Sequence, residues 1–180
     1  MTLEVDLVPF AGTPSRADFD CGNASLNDWL RSHASQHEKS GMSRTTLAVP
    51  KKGTLATWHA AGFEDVDDTT ILGFFSLSAA QIPLDQLPQG KHPKSVPAIR
   101  MGRLAVHRLA QGRGFGELLL MEAIARAAET SAAIGVGGLF VDAKDEKAAA
   151  FYAKYGFQPS LDDPLKLWLS LKNLLQYSSG

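Results

Sequence analysis

The chain has 180 residues, of which 44% are hydrophobic and 21% charged, and its formal net charge at pH 7 is -1. Such a composition suits one globular domain, residues 1–180, with a sizeable core, and excludes a wholly basic nucleic-acid binder. The lone cysteine, Cys21, excludes an intramolecular disulfide and favours a reducing compartment; with acids already at Glu4 and Asp6 and no long apolar run, the expectation is a soluble, cytoplasmic protein without a membrane segment.

Residues 3–10 (LEVDLVPF) alternate as an opening strand does. A helix is signalled from Ser25, where Ser25 and Asp28 form a capping pair and Leu26, Trp29, Leu30, His33, Ala34 and His37 recur at helical spacing until Ser40 and Gly41 end it. Residues 44–49 form a short β-like run stopped by Pro50, and residues 71–79 (ILGFFSLSA) a longer one. Between them, residues 51–70 mix Gly, Thr and the acids Glu64, Asp65, Asp67 and Asp68 without a period, which reads as an extended hairpin connection. Pro83, Pro88, Pro93 and Pro97 make residues 81–97 a surface loop. Residues 98–106 (AIRMGRLAV) then read as a strand feeding the turn QGRGFG, residues 111–116. From Gly114 the spacing predicts a helix with a stripe of Leu118, Met121, Ala125 and Ala128 and an i,i+4 pair of Glu122 with Arg126. Gly135 to Gly138 interrupt the chain before Leu139, Phe140 and Val141, and Asp145 can cap a short helix that Gly156 ends. Residues 165–172 (LKLWLSLK) alternate, with Leu165, Leu167, Leu169 and Leu171 on one face, as a strand. The order strand, helix, three strands, helix, strand, helix, strand makes a mixed α/β layered domain.

Three glycines and an arginine at a strand-to-helix junction suggest a bound phosphate, because glycines let the backbone turn with its N–H groups exposed and a helix N-terminus carries a positive dipole end. The alternative is a tight turn required only by close strand–helix packing. Gly116 is followed by Glu117 and Leu118, not by the Lys-Ser/Thr of a nucleoside triphosphatase loop, and the spacing of Gly112, Gly114 and Gly116 is not that of a dinucleotide fold. From Lys91 to Arg113 the bases Lys91, Lys94, Arg100, Arg103, Arg108 and Arg113 meet no Asp or Glu, which makes either a local basic face or a set of arginines paired with remote carboxylates.

Leu104-Ala105-Val106 followed by Gln111-Gly112-Arg113-Gly114-Phe115-Gly116 resembles the Gln/Arg-x-x-Gly-x-Gly/Ala motif of the GNAT N-acetyltransferase family, and Ala148 to Phe157 (AAAFYAKYGF) resembles its A-x-x-F-Y-x-x-x-G-F signature. Phe19-Asp20-Cys21-Gly22-Asn23 with Leu26, His92-Pro93 ahead of Arg103, Ala143-Lys144-Asp145 and Asp163-Pro164-Leu165 are similar to one branch, the acetyltransferase toxins of bacterial toxin–antitoxin modules. The resemblance runs from about residue 19 to residue 174, interrupted mainly by residues 51–70, a longer connection than this branch leads one to expect. It implies a GNAT fold, a central, mostly antiparallel twisted sheet flanked by helices, with acetyl-CoA (acetyl-coenzyme A) as cofactor. It also implies acetylation of the α-amine of the amino acid on charged tRNA, which stops translation, together with a small ribbon-helix-helix antitoxin and a homodimer.

By the same resemblance, the backbone of Leu104, Ala105 and Val106 pairs with the pantetheine as a further strand, and Gln111, Gly112, Arg113, Gly114, Phe115 and Gly116 cradle the pyrophosphate. Arg113 either adds charge-assisted bonds to phosphate or is simply solvated. Tyr152 is implied as general acid toward the coenzyme A thiolate, since a phenol of pKa about 10 is still protonated at neutral pH. On spacing alone its ring could equally pack into the core beside Phe151, with Tyr155 one turn on. Asp145 stands where many members carry Asn near the cofactor and is read as a cofactor contact or a helix cap. Lys91, Lys94, Arg100 and Arg103 are candidates for contact with tRNA phosphates, with Arg31, Lys39 and Arg44 as additions. No metal site is expected, and Cys21 reads as a small buried filler.

The histidines His33, His37, His59, His92 and His107 are base candidates by pKa. An α-amine titrating near about 8 needs no base, whereas a lysine near about 10.4 does, so the want of an evident base favours an α-amine acceptor. Two readings compete: a GNAT acetyltransferase of a small-molecule amine or protein N-terminus, which would turn over without tRNA, and a non-catalytic coenzyme A-binding module.

Overall fold

The computed structural model describes residues 2–10, 16–88, 90 and 93–178. Its strands are β1 (Val5–Pro9), β2 (Arg44–Pro50), β3 (Gly73–Pro83), β4 (Ser95–Val106), β5 (Gly138–Asp142), β6 (Gln158–Pro159) and β7 (Lys166–Ser170), in one sheet of order β1-β2-β3-β4-β5-β7-β6. β1–β2, β5–β7 and β6–β7 pair antiparallel and β4–β5 parallel, so the mixed α/β class and the mostly antiparallel sheet expected from the sequence hold. The helices are α1 (Ala24–Ser32), α2 (Ala34–Ser40), α3 (Leu55–Ala60), α4 (Phe115–Ala133), α5 (Glu146–Ala153) and α6 (Leu171–Ser178). Among the described residues no helix is long and apolar enough to cross a membrane. Residues 1–76 with 103–120 make one compact unit, and residues 77–102 with 121–180 a second.

In the first unit, Phe19, Trp29, Leu30, Leu47, Ile71 and Phe74 are buried together; Trp29 stacks on Phe74 at 5.9 Å and Phe19 meets Phe74 edge-on at 5.4 Å. Cys21 is buried in the same cluster, as a filler would be. The cap of α1 is not the Ser25–Asp28 pair: Asn23, in extended conformation, accepts the Leu26 N–H. The helix expected to reach Ser40 breaks at His33, whose φ of -120° leaves the helical region, while Leu30 and Ala34 on either side of the break are both fully buried.

Residues 51–70 hold more structure than a hairpin connection. They include α3, with Trp58 fully buried and its indole N–H donating to the Glu4 carbonyl at 3.3 Å. The turn that follows is organised by Asp67, whose carboxylate accepts from the Thr69 N–H and hydroxyl; these bonds hold its carboxyl below the usual range.

In the second unit, Ile82, Leu87, Val96, Ala98, Phe140 and Trp168 form the core. The proline-rich loop is shorter than expected, because β3 runs to Pro83 and β4 begins at Ser95 and contains Pro97, which is exposed and contributes its carbonyl to the Gly137 N–H at 2.7 Å. Gly137 and Gly138 do more than interrupt the chain: a Cβ would lie 2.3 Å from Val96 Cγ1 at the first and 2.2 Å from the Leu169 carbonyl at the second. β7 is buried at Leu167, Trp168 and Leu169 alike, so both its faces are covered, and it ends at Ser170, where α6 begins, a helix absent from the sequence reading.

The buried stripe of α4 is Leu119, Leu120, Ala123, Ile124 and Ala127, one position off the predicted Leu118, Met121, Ala125 and Ala128. Three successive leucines among alanines give little polar contrast to phase the period. The Glu122–Arg126 pair forms as predicted, at 3.0 Å.

Candidate functional site

β4 pairs with β5 at Ile99↔Leu139, Arg100↔Phe140 and Met101↔Val141, then continues through residues 102–106 with no further residue paired on β5 among those described. A strand edge left in this way presents backbone N–H and C=O groups that an extended ligand can pair with. Ala105 is buried, and Leu104 and Val106 are half-buried. Gly73 explains part of this placement: a Cβ there would lie 2.8 Å from both the Ala105 carbonyl and Leu119 Cδ1, so only glycine lets β3, β4 and α4 approach so closely. Sequence reasoning passed over Gly73, although a glycine inside an apolar strand was the available signal.

Past Val106 the chain is fastened from behind. The His107 N–H donates to the Leu72 carbonyl at 2.8 Å. Its ring Nδ1 accepts the Leu109 N–H and its Nε2 lies 3.2 Å from the Asp18 carbonyl, contacts that assign the neutral Nε2–H tautomer. Arg108 pairs with Asp20 at 3.0 Å. The Gln111 amide donates to the Val106 carbonyl at 2.9 Å and to the Cys21 carbonyl at 3.0 Å. Asp20 in turn accepts the Gly22 N–H and the Asn27 amide, which, with Arg108, hold its carboxyl below the usual range. The motif from Phe19 to Asn23 is thus the rear support of the glycine turn, and the Gln111 side chain fastens that turn to it.

Gly112 and Gly114 have φ of +78° and +86°, and a Cβ on either would meet nothing within 4 Å. Glycine is required here by the left-handed backbone and not by packing, and the space beside both Cα atoms is open. The Leu118 N–H donates to the Gly114 carbonyl at 3.1 Å, opening α4, so the N–H groups of Phe115, Gly116 and Glu117 are the helix's first and lack intrahelical acceptors. The Phe115 ring is buried and stacks on Trp58 at 5.8 Å, and the Arg113 guanidinium lies 4.7 Å over the Phe63 ring. A left-handed glycine turn that opens into a 19-residue helix has the backbone geometry and dipole end that an anion favours.

In the second unit, Asp145 caps α5 by accepting the Ala148 N–H at 2.8 Å, and Tyr152 lies in the helix's last turn. The Tyr152 ring is 5% exposed and packs on Phe151 at 5.4 Å and Phe157 at 5.5 Å. The ring is packed as a core residue's would be, and no hydrogen bond to its hydroxyl is found among the described residues. Burial, and after it the Asp142 carboxylate, push the phenol well above its ordinary value, so it is a proton donor and not a base at neutral pH.

Of the basic residues, Lys91 and His92 lie outside the described residues. Arg100 sits 2.9 Å from Asp142 and 5.4 Å over Phe140, so its charge is met by a carboxylate. Arg103 lies 4.1 Å over Trp29, and Lys94 is exposed. Arg31 and Arg44 pair with Asp28 and Glu38, and Lys39 is exposed. Among the other histidines, His59 bonds to the Val66 carbonyl at 2.7 Å, His37 stands edge-on to Trp29, and His33 is exposed.

A family model described as an acetyltransferase (GNAT) domain matches residues 66–159. The chain is 33% identical over 158 residues to a tRNA-acetylating toxin of Mycobacterium tuberculosis, covering 86% of this chain and 85% of that one. It is 25% identical over 171 residues to a probable toxin TacT of Sinorhizobium fredii, covering 88% and 86%. Among solved structures, a tyrosine-to-phenylalanine mutant of KacT superposes with a TM-score of 0.81 at 27% identity, covering 98% of this chain and 99% of that one. An unpaired end of β4, a left-handed glycine turn at the head of α4 and these likenesses agree, and the chain belongs to the GNAT family of acetyl-coenzyme A-dependent N-acetyltransferases.

Proposed function

We propose that this protein transfers the acetyl group of acetyl-coenzyme A to the α-amine of the amino acid on charged tRNA, and as a toxin thereby blocks translation. The observation that carries the cofactor half is the turn at Gly112 and Gly114, left-handed, open above both Cα atoms and leading into α4. The acceptor half is supported by the tRNA-acetylating relative at 33% identity.

In this reading the whole chain acts as one acetyltransferase domain. The edge of β4 at Leu104, Ala105 and Val106 pairs with the pantetheine, the N–H groups around Gly112 to Gly116 take the pyrophosphate, and Gln111 holds their turn in place. The neutral α-amine attacks the thioester carbonyl and the C–S bond breaks. As the general acid, the Tyr152 hydroxyl donates a hydrogen bond to the leaving sulfur that strengthens as the C–S bond breaks; the acetylated nitrogen loses its proton to water, and the released thiolate takes its proton from solvent. Asp145 supports this arrangement as the cap of α5. Lys94 and Arg103, with Lys91, are assigned to tRNA phosphates; Arg100 is a weaker candidate because Asp142 already meets its charge. A ribbon-helix-helix antitoxin, a homodimer and a cytoplasmic setting complete the proposal.

The test is to incubate the purified protein with labelled acetyl-coenzyme A and total charged tRNA, alongside uncharged tRNA and free amines. Label on the aminoacyl end of charged tRNA alone is the expected result. Label on free amines without tRNA would replace this acceptor by a small-molecule one.

A further inference from the structure

The segment 51–70, which interrupts the family resemblance, packs against the glycine turn. Trp58 is fully buried and anchored by its bond to the Glu4 carbonyl. It stacks on Phe115 at 5.8 Å with 21° between the planes, and meets Phe63 edge-on at 5.3 Å. Phe63 is 8% exposed, and its N–H donates to the Trp58 carbonyl at 3.1 Å, so the ring has little freedom. Its other neighbour is the Arg113 guanidinium, 4.7 Å from the ring centroid. The segment therefore grips the turn on both sides of Gly114, by Phe115 after it and by Arg113 before it. Neither Trp58 nor Phe63 falls within the residues matched by the family model.

Arg113 is exposed and, among the described residues, has no ion-pair partner. The acids nearest in sequence to Phe63 do not neutralise it: Glu64 and Asp65 are exposed and make no ion pair among those residues, and Asp67 spends its carboxylate on Thr69 and Thr70. A guanidinium lying over a ring keeps N–H groups available for a phosphate, and a side chain held there has already lost rotamers that binding would otherwise have to freeze.

We propose that Phe63 is a positioning residue that holds Arg113 ready for a phosphate of the cofactor, and that the function of residues 51–70 is to brace the phosphate turn through Phe63 and Trp58. This rests on the assignment of coenzyme A to that turn.

The experiment is a double-mutant cycle on acetyl-coenzyme A affinity, read by calorimetry, with apo thermal midpoints measured for every variant. Arg113→Ala should weaken binding about tenfold, as loss of a charge-assisted contact does. Phe63→Leu, which keeps bulk but removes the ring, should weaken it about threefold in the native background, as loss of an exposed cation–π contact does, and not at all when Arg113 is already Ala. Phe63→Tyr should restore affinity. The KM for acetyl-coenzyme A should rise in both single variants. An equal loss from Phe63→Leu in both backgrounds would reduce Phe63 to packing and overturn the proposal. So would native affinity in Arg113→Ala. If the native protein fails to bind coenzyme A, the functional reading falls and this inference with it; native binding with an indifferent Arg113 overturns this inference alone. Repeating the cycle with dephospho-coenzyme A identifies the group: a persistent penalty assigns the pyrophosphate, a vanished one the ribose phosphate.

Discussion

Replacing Tyr152 by Phe removes one hydroxyl and leaves the ring between Phe151 and Phe157. No hydrogen bond to that hydroxyl is found among the described residues, so the folded state loses no bond within the protein and the thermal midpoint should move by no more than about 2 °C. Catalysis should respond very differently. General acids contribute about 100- to 10,000-fold, or about 2.7 to 5.4 kcal/mol at about 1.36 kcal/mol per decade. The lower part of that range is expected here. Burial raises the phenol above its ordinary value of about 10, and a thiol titrates near about 8.5, so full transfer to the thiolate is uphill by at least about 2 kcal/mol. In its proposed role Tyr152 would act by a hydrogen bond that strengthens as the C–S bond breaks, and kcat for acetyl transfer should fall about 100- to 1,000-fold with acetyl-coenzyme A affinity unchanged. The raised pKa also fixes the alkaline behaviour. The stability it contributes is complete below about pH 10, where the unfolded phenol titrates, and is lost as pH rises toward the higher folded value. The kcat profile should accordingly show no descending limb from this group below pH of about 10, and Tyr152→Phe should be the less alkali-sensitive protein. A fall in kcat of under threefold, with cofactor still bound, would refute the assignment of Tyr152 as the acid.

Gly114→Ala forces a side chain into φ of +86° with no clash around it, so stability should drop by about 1 to 2 kcal/mol, checked by denaturant unfolding, with weaker acetyl-coenzyme A binding by calorimetry. Gly73→Ala places a Cβ 2.8 Å from the Ala105 carbonyl, a backbone atom that cannot swing aside, and should cost about 1 to 3 kcal/mol; native stability would deny the close approach of β3 and β4. Lys94→Glu should raise the KM for charged tRNA and lower the salt slope of tRNA binding by about one, leaving acetyl-coenzyme A affinity as it was; unchanged tRNA kinetics would remove Lys94 from that surface.

The left-handed turn at Gly112 and Gly114 and the short helix that carries Phe151 and Tyr152 were legible because their signals lie in contiguous residues. Less legible were the contacts that work across the chain. Gln111 reads as part of a phosphate cradle, yet its side chain ties Val106 to Cys21, 90 positions away, and no local pattern announces that partner. Asp20 and Arg108 are similar, each unremarkable until the fold pairs them. Periodicity also fails where one large side chain does the anchoring: α3 has Trp58 as its only buried residue, so residues 51–70 show no repeat to detect. At the start of α1 the sequence pattern points to Ser25 and Asp28, whereas the fold caps the helix two residues earlier with Asn23, whose backbone is extended and whose side chain accepts the Leu26 N–H.

The acceptor can be argued further from what the histidines do. A general base for a lysine must remove a proton from an amine that is only about 0.04% neutral at pH 7, whereas an α-amine of pKa about 8 is about 9% neutral, a difference of about 200-fold in reactive nucleophile. Among the described residues, His107 has Nδ1 and Nε2 engaged by Leu109 and Asp18, and His59 has its Nε2 on the Val66 carbonyl. His37 is packed against Trp29 with its Nδ1 3.5 Å from the Ser43 hydroxyl. Each of these rings makes at least one contact within the fold. His33 is exposed on the break between α1 and α2. The proposed acid at Tyr152, with no base assigned among the histidines of the described residues, is matched to an amine with a substantial neutral fraction, which is the property that separates the amino group of a charged tRNA from a lysine side chain. The pH dependence of kcat/KM at limiting charged tRNA is the discriminating measurement. The proposal requires its ascending limb to follow the α-amine of the aminoacyl-tRNA and to shift when the esterified amino acid is changed, whereas a limb fixed at a protein histidine regardless of the amino acid would overturn it.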